Sequence, residues 1–302
     1  MNVGFIGLGA MGLPMARRVL SAGHTMYTTF HRRLEPAEEL RAMGATVLAT
    51  PAEVAAVADV VITILPADAE LREVVFGATG ILRGVASGKA LIEMTSGTAL
   101  AMQEIAAAIE RKGGAVLDAP VSGGTPAAEQ GTLTIMVGGD EALLERFRPL
   151  LQAMGTRILH VGKVGQGKIV KIVNQVMAAI HLLTIGEAFA LGIKNGADPD
   201  VLYEVIKNSS GYSKMMDLRL PGFLLEGSFE PGFKLDLMKK DVNLALESAK
   251  ASSAPLLLTS AAAQVFAAAS AAGKGSNDFS AAAQFLASLA GIDLSKAKAK
   301  LA

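Results

Sequence analysis

The amino-acid sequence predicts an α/β protein, with a doubly wound parallel sheet over residues 1–162 and an all-helical domain over residues 163–302. Two observations support this prediction. As far as Gly162, short apolar runs alternate with helix patterns at the spacing of repeated βα units, which build a parallel sheet. Beyond Gly162 no further strand pattern follows, and the sequence is helical and rich in alanine towards its end.

The composition limits the possible classes of function. With 51% hydrophobic and 19% charged residues, the chain can build a sizeable core. Basic and acidic residues balance at 28 each, so we expect neither a nucleic-acid partner nor a membrane partner. The chain has no cysteine and its four histidines are scattered, which predicts no metal site. The N-terminus enters a strand pattern without a charged leader, so we expect a cytoplasmic protein.

A glycine-rich segment follows the first strand pattern, Val3–Ile6, and precedes a helix pattern. In that context its GxGxxG spacing predicts a dinucleotide-binding turn of the Rossmann type, with the phosphates at the helix N-terminus. Gly7 permits the tight turn, Gly9 permits the approach of a pyrophosphate, and Gly12 permits close packing of the helix. The alternative is a purely structural glycine turn. The predicted phosphate-binding residues are Gly7, Gly9, Ala10, Met11 and Gly12.

The end of the second strand pattern, Thr25–Phe30, bears on the choice of cofactor. An NAD site usually has an acidic residue there for the ribose 2′-OH, whereas this chain has His31-Arg32-Arg33. Guanidinium groups bind a 2′-phosphate, which a carboxylate would repel. The sequence therefore predicts a preference for NADP, with NAD possible. The alternative is a solvated basic turn, and Glu35 close by could pair with either arginine.

The other elements of the first domain follow from apolar runs and helix patterns bounded by glycine, proline or polar residues. Strands are predicted at Thr46–Leu48, Val60–Leu65, Ala90–Met94, Ala115–Leu117, Thr132–Val137 and Arg157–His160. Helices are predicted at Leu13–Ala22, Glu35–Met43, after Pro51, and at Asp68–Val75, Ala99–Lys112 and Glu141–Met154.

Three loops begin where predicted parallel strands end, which is where ligands bind in such sheets. They are Pro66-Ala67-Asp68, Thr95-Ser96-Gly97 and the segment from Asp118 to Gly124. The last loop is rich in backbone N–H groups with little side chain around them, so it can wrap a carboxylate or a phosphate. The alternative is an ordinary glycine-rich loop.

The segment Gly165–Gly192 is predicted to be one long helix that opens the second domain. Its apolar residues occur on every side, which predicts a helix buried all round, and its interspersed polar residues argue against a membrane span. Lys171, Asn174 and Gln175 stand at i, i+3 and i+4 and so share one face. Buried polar groups on one face need a polar partner. The alternative is a hydrated helix start from which Lys171 extends into water.

Two further lysine segments lie in the second domain. Lys240 occurs within an apolar helix period and Asp241 follows it, so a structural ion pair is one interpretation. The run from Lys296 to Lys300 predicts a solvated helix end.

Together these segments resemble the β-hydroxyacid dehydrogenase family, which includes 3-hydroxyisobutyrate dehydrogenase, tartronate semialdehyde reductase and 2-(hydroxymethyl)glutarate dehydrogenase. The resemblance covers essentially the whole chain. The segment Gly165–Gln175 is its most specific part, because it matches the family's G-x-G-x-x-x-K-x-x-N signature. The matching segments are GFIGLGAMG (Gly4–Gly12), DAPVSGG (Asp118–Gly124), GTLTIMVGG (Gly131–Gly139), GQGKIVKIVNQ (Gly165–Gln175), FKLDLMKKD (Phe233–Asp241) and GKGSNDFSA (Gly273–Ala281).

The resemblance implies a role for each matching residue. Lys171 would be the catalytic acid/base, with Asn174 and Gln175 orienting the substrate. The loop Ser122-Gly123-Gly124 would hold the substrate carboxylate. Cofactor contacts would come from Leu65, Pro66, Thr95 and Lys240, with Thr95 and Lys240 beside the nicotinamide end. Two departures from the family pattern are the basic end of strand two and Gln175, which replaces the second residue of the usual Asn-Asn pair.

The resemblance implies an oxidoreductase that transfers a hydride between NADP(H) and a small β-hydroxy acid or semialdehyde carboxylate, such as tartronate semialdehyde or methylmalonate semialdehyde. It also implies a homodimer or homotetramer. The alternative is a non-catalytic NADP-binding sensor or regulatory module on the same fold, since a fold does not determine a function. Such a module would not need Lys171, Asn174 and the Ser122 loop together.

Overall fold

The computed structural model describes residues 1–296 in two compact units, Met1–Lys171 and a second unit that begins at Ile172. This division falls inside one continuous helix, so the first turns of that helix belong to the first unit. Of the predicted C-terminal lysine helix end, all but Lys296 lies outside the described residues.

The first unit contains a nine-stranded sheet. Its strands are β1 (Asn2–Ile6), β2 (Thr25–Thr28), β3 (Thr46–Val47), β4 (Val60–Thr63), β5 (Ala90–Glu93), β6 (Ala115–Asp118), β7 (Val121–Ser122), β8 (Leu133–Gly138) and β9 (Gly155–Gly162). The order β3-β2-β1-β4-β5-β6 is parallel throughout, which confirms the predicted doubly wound sheet. The strand order reverses at β1, so the carboxyl ends of β1 and β4 form the expected ligand crevice.

An antiparallel extension completes the sheet and was not predicted. Strand β8 runs antiparallel to β6 and β7, and β9 runs parallel to β8. The predicted loop from Asp118 to Gly124 was therefore partly wrong, because it contains β7 and the start of a helix. Buried Val121 explains the difference, since its side chain joins the core next to β8.

Helices cover both faces of the sheet in the first unit. They are α1 (Gly12–Ser21), α2 (Glu35–Ala42), α3 (Pro51–Val57), α4 (Asp68–Phe76), α5 (Ala99–Glu110), α6 (Gly124–Gln130) and α7 (Glu141–Gln152). Along β4, Val60 and Ile62 join one hydrophobic cluster and Val61 joins another. Both faces are therefore buried, which explains why the strands read as continuous apolar runs.

The second unit is helical in its described part, as predicted. After α8 (Gln166–Lys194), which spans the boundary, its helices are α9 (Pro199–Lys207), α10 (Lys214–Arg219), α11 (Leu235–Ser252), α12 (Leu257–Ala269) and α13 (Ala281–Leu289). They share one core cluster that includes Phe189, Phe266 and Leu235. Small side chains on α13, such as buried Ala283, allow α8 to approach closely, since a Cβ at Gly186 would lie 2.7 Å from the Ala283 carbonyl oxygen.

Helix α8 is not buried all round in this chain, and that prediction was wrong. Val173 and Met177 are each 54% exposed and Leu191 is 68% exposed. Val173 and Met177 lie one turn apart and expose apolar surface, whereas exposed Thr184 and Glu187 separate them from Leu191 along the helix. The predicted self-association of the chain stays a prediction.

By length and composition, α8 is the one helix among residues 1–296 that could cross a membrane. Its most apolar 18-residue window has a mean hydropathy of 1.8, and 39% of that window is buried. The core helix of a soluble protein meets the same criteria.

Candidate active site

The glycine-rich turn after β1 has the geometry that its spacing predicts. Gly7 has a φ of +104°, and a Cβ there would lie 2.0 Å from the carbonyl oxygen of Ile64. A Cβ at Gly12 would lie 1.8 Å from the carbonyl oxygen of Gly7, so only glycine lets α1 begin this close to the strand. A Cβ at Gly9 would meet nothing within 4 Å. The turn is thus tight where it packs and open at Gly9, which fits a dinucleotide pyrophosphate at the start of α1.

The end of β2 offers exposed cations next to this turn. Thr28 donates its hydroxyl to the carbonyl oxygen of Phe5 at 2.7 Å, which ties the end of β2 to β1. His31, Arg32 and Arg33 follow and are all exposed. Within residues 1–296, neither arginine forms an ion pair with Glu35. Pairing with Glu35 is therefore not observed, whereas the exposure of all three residues also agrees with the alternative of a solvated basic turn.

Two of the predicted cofactor loops are joined by hydrogen bonds. The backbone N–H of Leu65, after β4, donates to the hydroxyl of Thr95, after β5, at 2.9 Å. Asp68, at the start of α4, accepts from the backbone N–H and the hydroxyl of Thr98, the N-cap residue of α5. The structure therefore brings Leu65 and Thr95 together at the carboxyl edge, with Pro66 next in the chain.

The carboxylate of Asp118 holds the start of α8 at the end of β6. Its Oδ1 accepts from the backbone N–H of Gly165 at 2.8 Å, and its Oδ2 accepts from that of Lys168 at 3.0 Å. These N–H groups belong to the first turn of a helix, which has no carbonyl partners of its own. A Cβ at Gly167 would lie 2.7 Å from both the carbonyl oxygen and Oδ2 of Asp118, so glycine permits this close approach.

A second buried bond joins α8 to the end of β5. The Lys168 ammonium forms an ion pair with the Glu93 carboxylate and also donates to the carbonyl oxygen of Thr95. The other oxygen of Glu93 accepts from the Thr95 N–H at 2.8 Å. Lys168 is 1% exposed and Glu93 is fully buried.

Lys171 lies one helical turn beyond Lys168, which is about 4.5 Å along the axis. Because the first turn of α8 is fixed to the ends of β5 and β6, Lys171 is held near the carboxyl edge of the sheet. Its side chain is 6% exposed. The alternative of a hydrated lysine that extends into water therefore does not describe this residue.

The amides that follow on α8 differ in exposure. Gln175 is buried, and its Nε2 donates to the carboxylate of Asp241 at 2.7 Å. Its Oε1 accepts from Nδ2 of exposed Asn174 at 3.1 Å. Gln175 therefore orients the Asn174 amide, and a direct contact of Gln175 with substrate remains a prediction. Lys240 forms an ion pair with Asp241 at 3.2 Å, as the structural interpretation predicts, and its cofactor role also stays a prediction.

The Ser122 loop extends past the carboxyl edge of the sheet. Asp118, Val121 and Ser122 pair with Gly138, Ile135 and Thr134 in one continuous antiparallel register, so β7 prolongs β6. At about 3.3 Å per residue, Ser122 lies about 13 Å beyond Asp118. Ser122 is half-buried, and Gly123 is exposed ahead of α6. The loop thus lies on the continuation of the strand whose last residue, Asp118, fastens the helix of Lys171.

Burial raises the pKa of Asp118 above the ordinary range of a carboxyl group. The positive charge of Lys168 and the backbone N–H groups of Gly165 and Lys168 lower the pKa and so oppose this effect. Burial is the largest influence, so the fold favours the protonated carboxyl relative to the unfolded chain.

Sequence reasoning missed Lys168, Glu93 and Asp118 as members of the site. A charged residue at the end of a fully apolar strand is a signal that Glu93 and Asp118 both carry. No signal in the sequence pairs Glu93 with Lys168, because 75 positions separate them. Among residues 1–296, no cluster of three or more histidine, aspartate or glutamate side chains could hold a metal ion.

Two known families match successive parts of the chain. Residues 2–162 match the family described as the NAD binding domain of 6-phosphogluconate dehydrogenase. Residues 165–286 match the family described as NAD-binding of NADP-dependent 3-hydroxyisobutyrate dehydrogenase.

Individual relatives are similar over nearly their whole length. The chain is 39% identical to 2-(hydroxymethyl)glutarate dehydrogenase of Eubacterium barkeri, over 97% of each chain. It is 37% identical to 2-hydroxy-3-oxopropionate reductase of Escherichia coli, over 95% of this chain and 97% of that one. The solved structure of Mycobacterium tuberculosis 3-hydroxyisobutyrate dehydrogenase with L-serine superimposes with a TM-score of 0.88 at 35% identity, covering 94% of this chain and 98% of that chain.

The raised pKa of Asp118 makes a testable prediction about stability. The folded protein binds this proton more tightly than the unfolded chain, so the contribution of Asp118 is fully present at low pH and is lost as pH rises through the folded pKa. We expect the difference in unfolding free energy between wild type and Asp118→Asn to be largest in acid and to shrink as pH rises. Urea unfolding of both proteins across the acid range measures it. A difference that grows with pH would contradict the assignment.

Proposed function

The chain belongs to the β-hydroxyacid dehydrogenase family and is an NAD(P)-dependent hydroxyacid dehydrogenase; on that premise we propose its substrate class and the residues that act on it. The reaction transfers a hydride between NADP(H) and a small β-hydroxy acid or the corresponding semialdehyde. Tartronate semialdehyde and methylmalonate semialdehyde are the leading candidates. Lys171 is the general acid/base.

The observation that carries this proposal is the place of Lys171. It is a buried lysine one turn beyond a helix start that is fixed to the ends of β5 and β6. The cofactor-binding edge of a doubly wound sheet lies at these strand ends. A lysine held there can exchange a proton with a substrate that lies against the cofactor.

The nicotinamide supplies or accepts the hydride, so the protein must bind, orient and manage one proton. Reduction of an aldehyde builds negative charge on its oxygen. The Lys171 ammonium stabilises that charge and donates the proton. In the oxidation direction, neutral Lys171 accepts the hydroxyl proton. Asn174, which Gln175 holds in place, orients the substrate in both directions.

The carboxylate of the substrate binds at Ser122-Gly123-Gly124. This loop offers backbone N–H donors beyond the end of β6, and Asp118 at that strand end also fastens the helix of Lys171. In this proposal a short substrate places its carboxylate on the loop and its carbonyl near Lys171. A second carboxylate, as in 2-formylglutarate, can also be accommodated.

We propose NADP as the preferred cofactor because Arg32 and Arg33 are exposed at the end of β2 and unpaired with Glu35 among residues 1–296. A 2′-phosphate would find two guanidinium groups there and no acidic side chain in the segment His31-Arg32-Arg33. A non-catalytic sensor on this fold is disfavoured, since the relatives that match nearly the full chain are named as dehydrogenases and reductases.

A substrate panel tests the proposed substrate class. It compares tartronate semialdehyde, methylmalonate semialdehyde, 2-formylglutarate and L-serine with propanal and 6-phosphogluconate, followed by nicotinamide absorbance. Propanal leaves the loop donors without a partner, so kcat/KM should fall by orders of magnitude relative to the best semialdehyde. If propanal or the phosphosugar is the better substrate, the carboxylate assignment of the Ser122 loop is wrong.

Variants of Lys171 test the proton transfer. Lys171→Ala should lower kcat by about 10²–10⁴-fold with NADPH still bound. Lys171→Arg keeps the positive charge but cannot release a proton at ordinary pH, so it should also lose most of kcat. Lys194→Ala, near the other end of the same helix, is the control and should retain activity. Near-normal kcat in Lys171→Arg would reduce the role of Lys171 to charge stabilisation.

The cofactor preference is tested with Arg32→Ala. Losing a charged hydrogen-bonded pair of about 1.5–3 kcal/mol should lower kcat/KM with NADPH at least about tenfold, and much less with NADH. Arg41→Ala is a matched control, because Arg41 is an exposed arginine on α2 that pairs with Glu38. Equal wild-type efficiency with both cofactors would rule out the preference.

A further inference from the structure

The buried ion pair of Lys168 and Glu93 has no part in the reaction as described so far. Removing two charges from water is unfavourable, and well-packed apolar side chains of similar volume often serve a core equally well. Stability alone therefore does not explain why a fully buried carboxylate and an ammonium lie at this point. Their contacts indicate what the pair does.

Those contacts hold the backbone of one residue, Thr95, on both sides of its Cα. Glu93 accepts the N–H of Thr95 at 2.8 Å, and the Lys168 ammonium donates to the carbonyl oxygen of Thr95. The Thr95 hydroxyl accepts the N–H of Leu65 at 2.9 Å. Thr95 is 1% exposed, and its backbone and side chain are thus constrained by three elements of the first unit: β4, β5 and α8.

The same pair constrains the helix that carries Lys171. The Lys168 side chain ties the first turn of α8 to the end of β5, while its backbone N–H is tied to Asp118 at the end of β6. Two attachments to two neighbouring strands fix both the position of the helix start and its rotation about its axis. The rotation decides where the Lys171 side chain points, one turn later.

We propose that Lys168 and Glu93 are positioning residues for hydride transfer, which fix the Thr95 loop and the helical turn of Lys171 relative to each other. This inference rests on the proposed function. Neither residue needs to touch substrate or cofactor. Their effect is geometric: if the pair is absent, the two loops and the helix start can shift independently, and a displacement of about 1 Å is enough to cost about 10²-fold in rate.

The test is the double variant Lys168→Met/Glu93→Gln. It removes both buried charges. It should therefore fold better than either single variant, which would keep one buried charge without its partner. Glutamine also keeps an oxygen that can accept the Thr95 N–H. The ammonium bond to the Thr95 carbonyl oxygen is lost. We expect kcat with the best semialdehyde to fall about 10²-fold. The NADPH affinity, measured by fluorescence titration, and KM should each change by less than about threefold.

Two controls separate positioning from general destabilisation. Arg72→Met/Glu104→Gln makes the same chemical change in an exposed ion pair between α4 and α5, the helices that follow β4 and β5. It should retain full kcat. Ile109→Ala creates a cavity in the core of the same unit and lowers stability with no change near the strand ends. It should lower the melting temperature and leave kcat near that of the wild type.

If the pair is purely structural, kcat follows stability. The double variant should then have both the stability and the kcat of the wild type. Recovery of wild-type kcat in the double variant would overturn the inference and leave the proposed function intact. If the wild type itself turns over no semialdehyde, the proposed function fails instead. Amide hydrogen exchange of the free proteins then decides the positioning: Leu65 and Thr95 should exchange faster in the double variant than in the wild type, and unchanged exchange would overturn the inference.

Discussion

The hydrogen bonds between the Asp118 carboxylate and the first turn of α8 are the interaction on which the candidate site depends. They satisfy two N–H groups that a helix start cannot satisfy itself, and they do so at the end of a sheet strand. The helix that carries Lys171 therefore begins at the edge where a doubly wound sheet binds its ligand. Without this attachment, a lysine in the second turn of a long helix would have no defined place relative to the glycine-rich turn.

The electrostatic arrangement around this attachment is unfavourable for each charge taken alone. Burial raises the pKa of Asp118, and Glu93 and Lys168 are both removed from water. Each charge is tolerated because it is paired or accepts backbone N–H groups. The result is a hydrogen-bonded set of strand ends, with Thr95 and Leu65 joined to it. Such bonds limit the movement of the groups that they join, and fixed orientation favours catalysis in general.

Much of the architecture could be predicted because its causes are local. The apolar strands, the helix patterns and the turn Gly7–Gly12 follow from periodicity and spacing within a few residues. Lys171 and the Ser122 loop were predicted because their motifs match a family, and their catalytic and substrate-binding roles stay predictions. The prediction of α8 as fully buried failed because apolar residues on all sides do not reveal whether every side has a neighbour within the chain, and Met177 has a largely exposed side chain.

The sequence by itself determined the fold class, the dinucleotide turn and the family, since patterns within short segments of the chain indicate all three. Only the tertiary structure decided which charges meet: Lys168 with Glu93, and Asp118 with the start of α8. The same holds for Gln175, whose amide binds Asp241 and so supports Asn174. The physical reason is that buried polar groups must find partners, and which partners adjoin them depends on the order of strands and the packing of helices, not on distance along the chain.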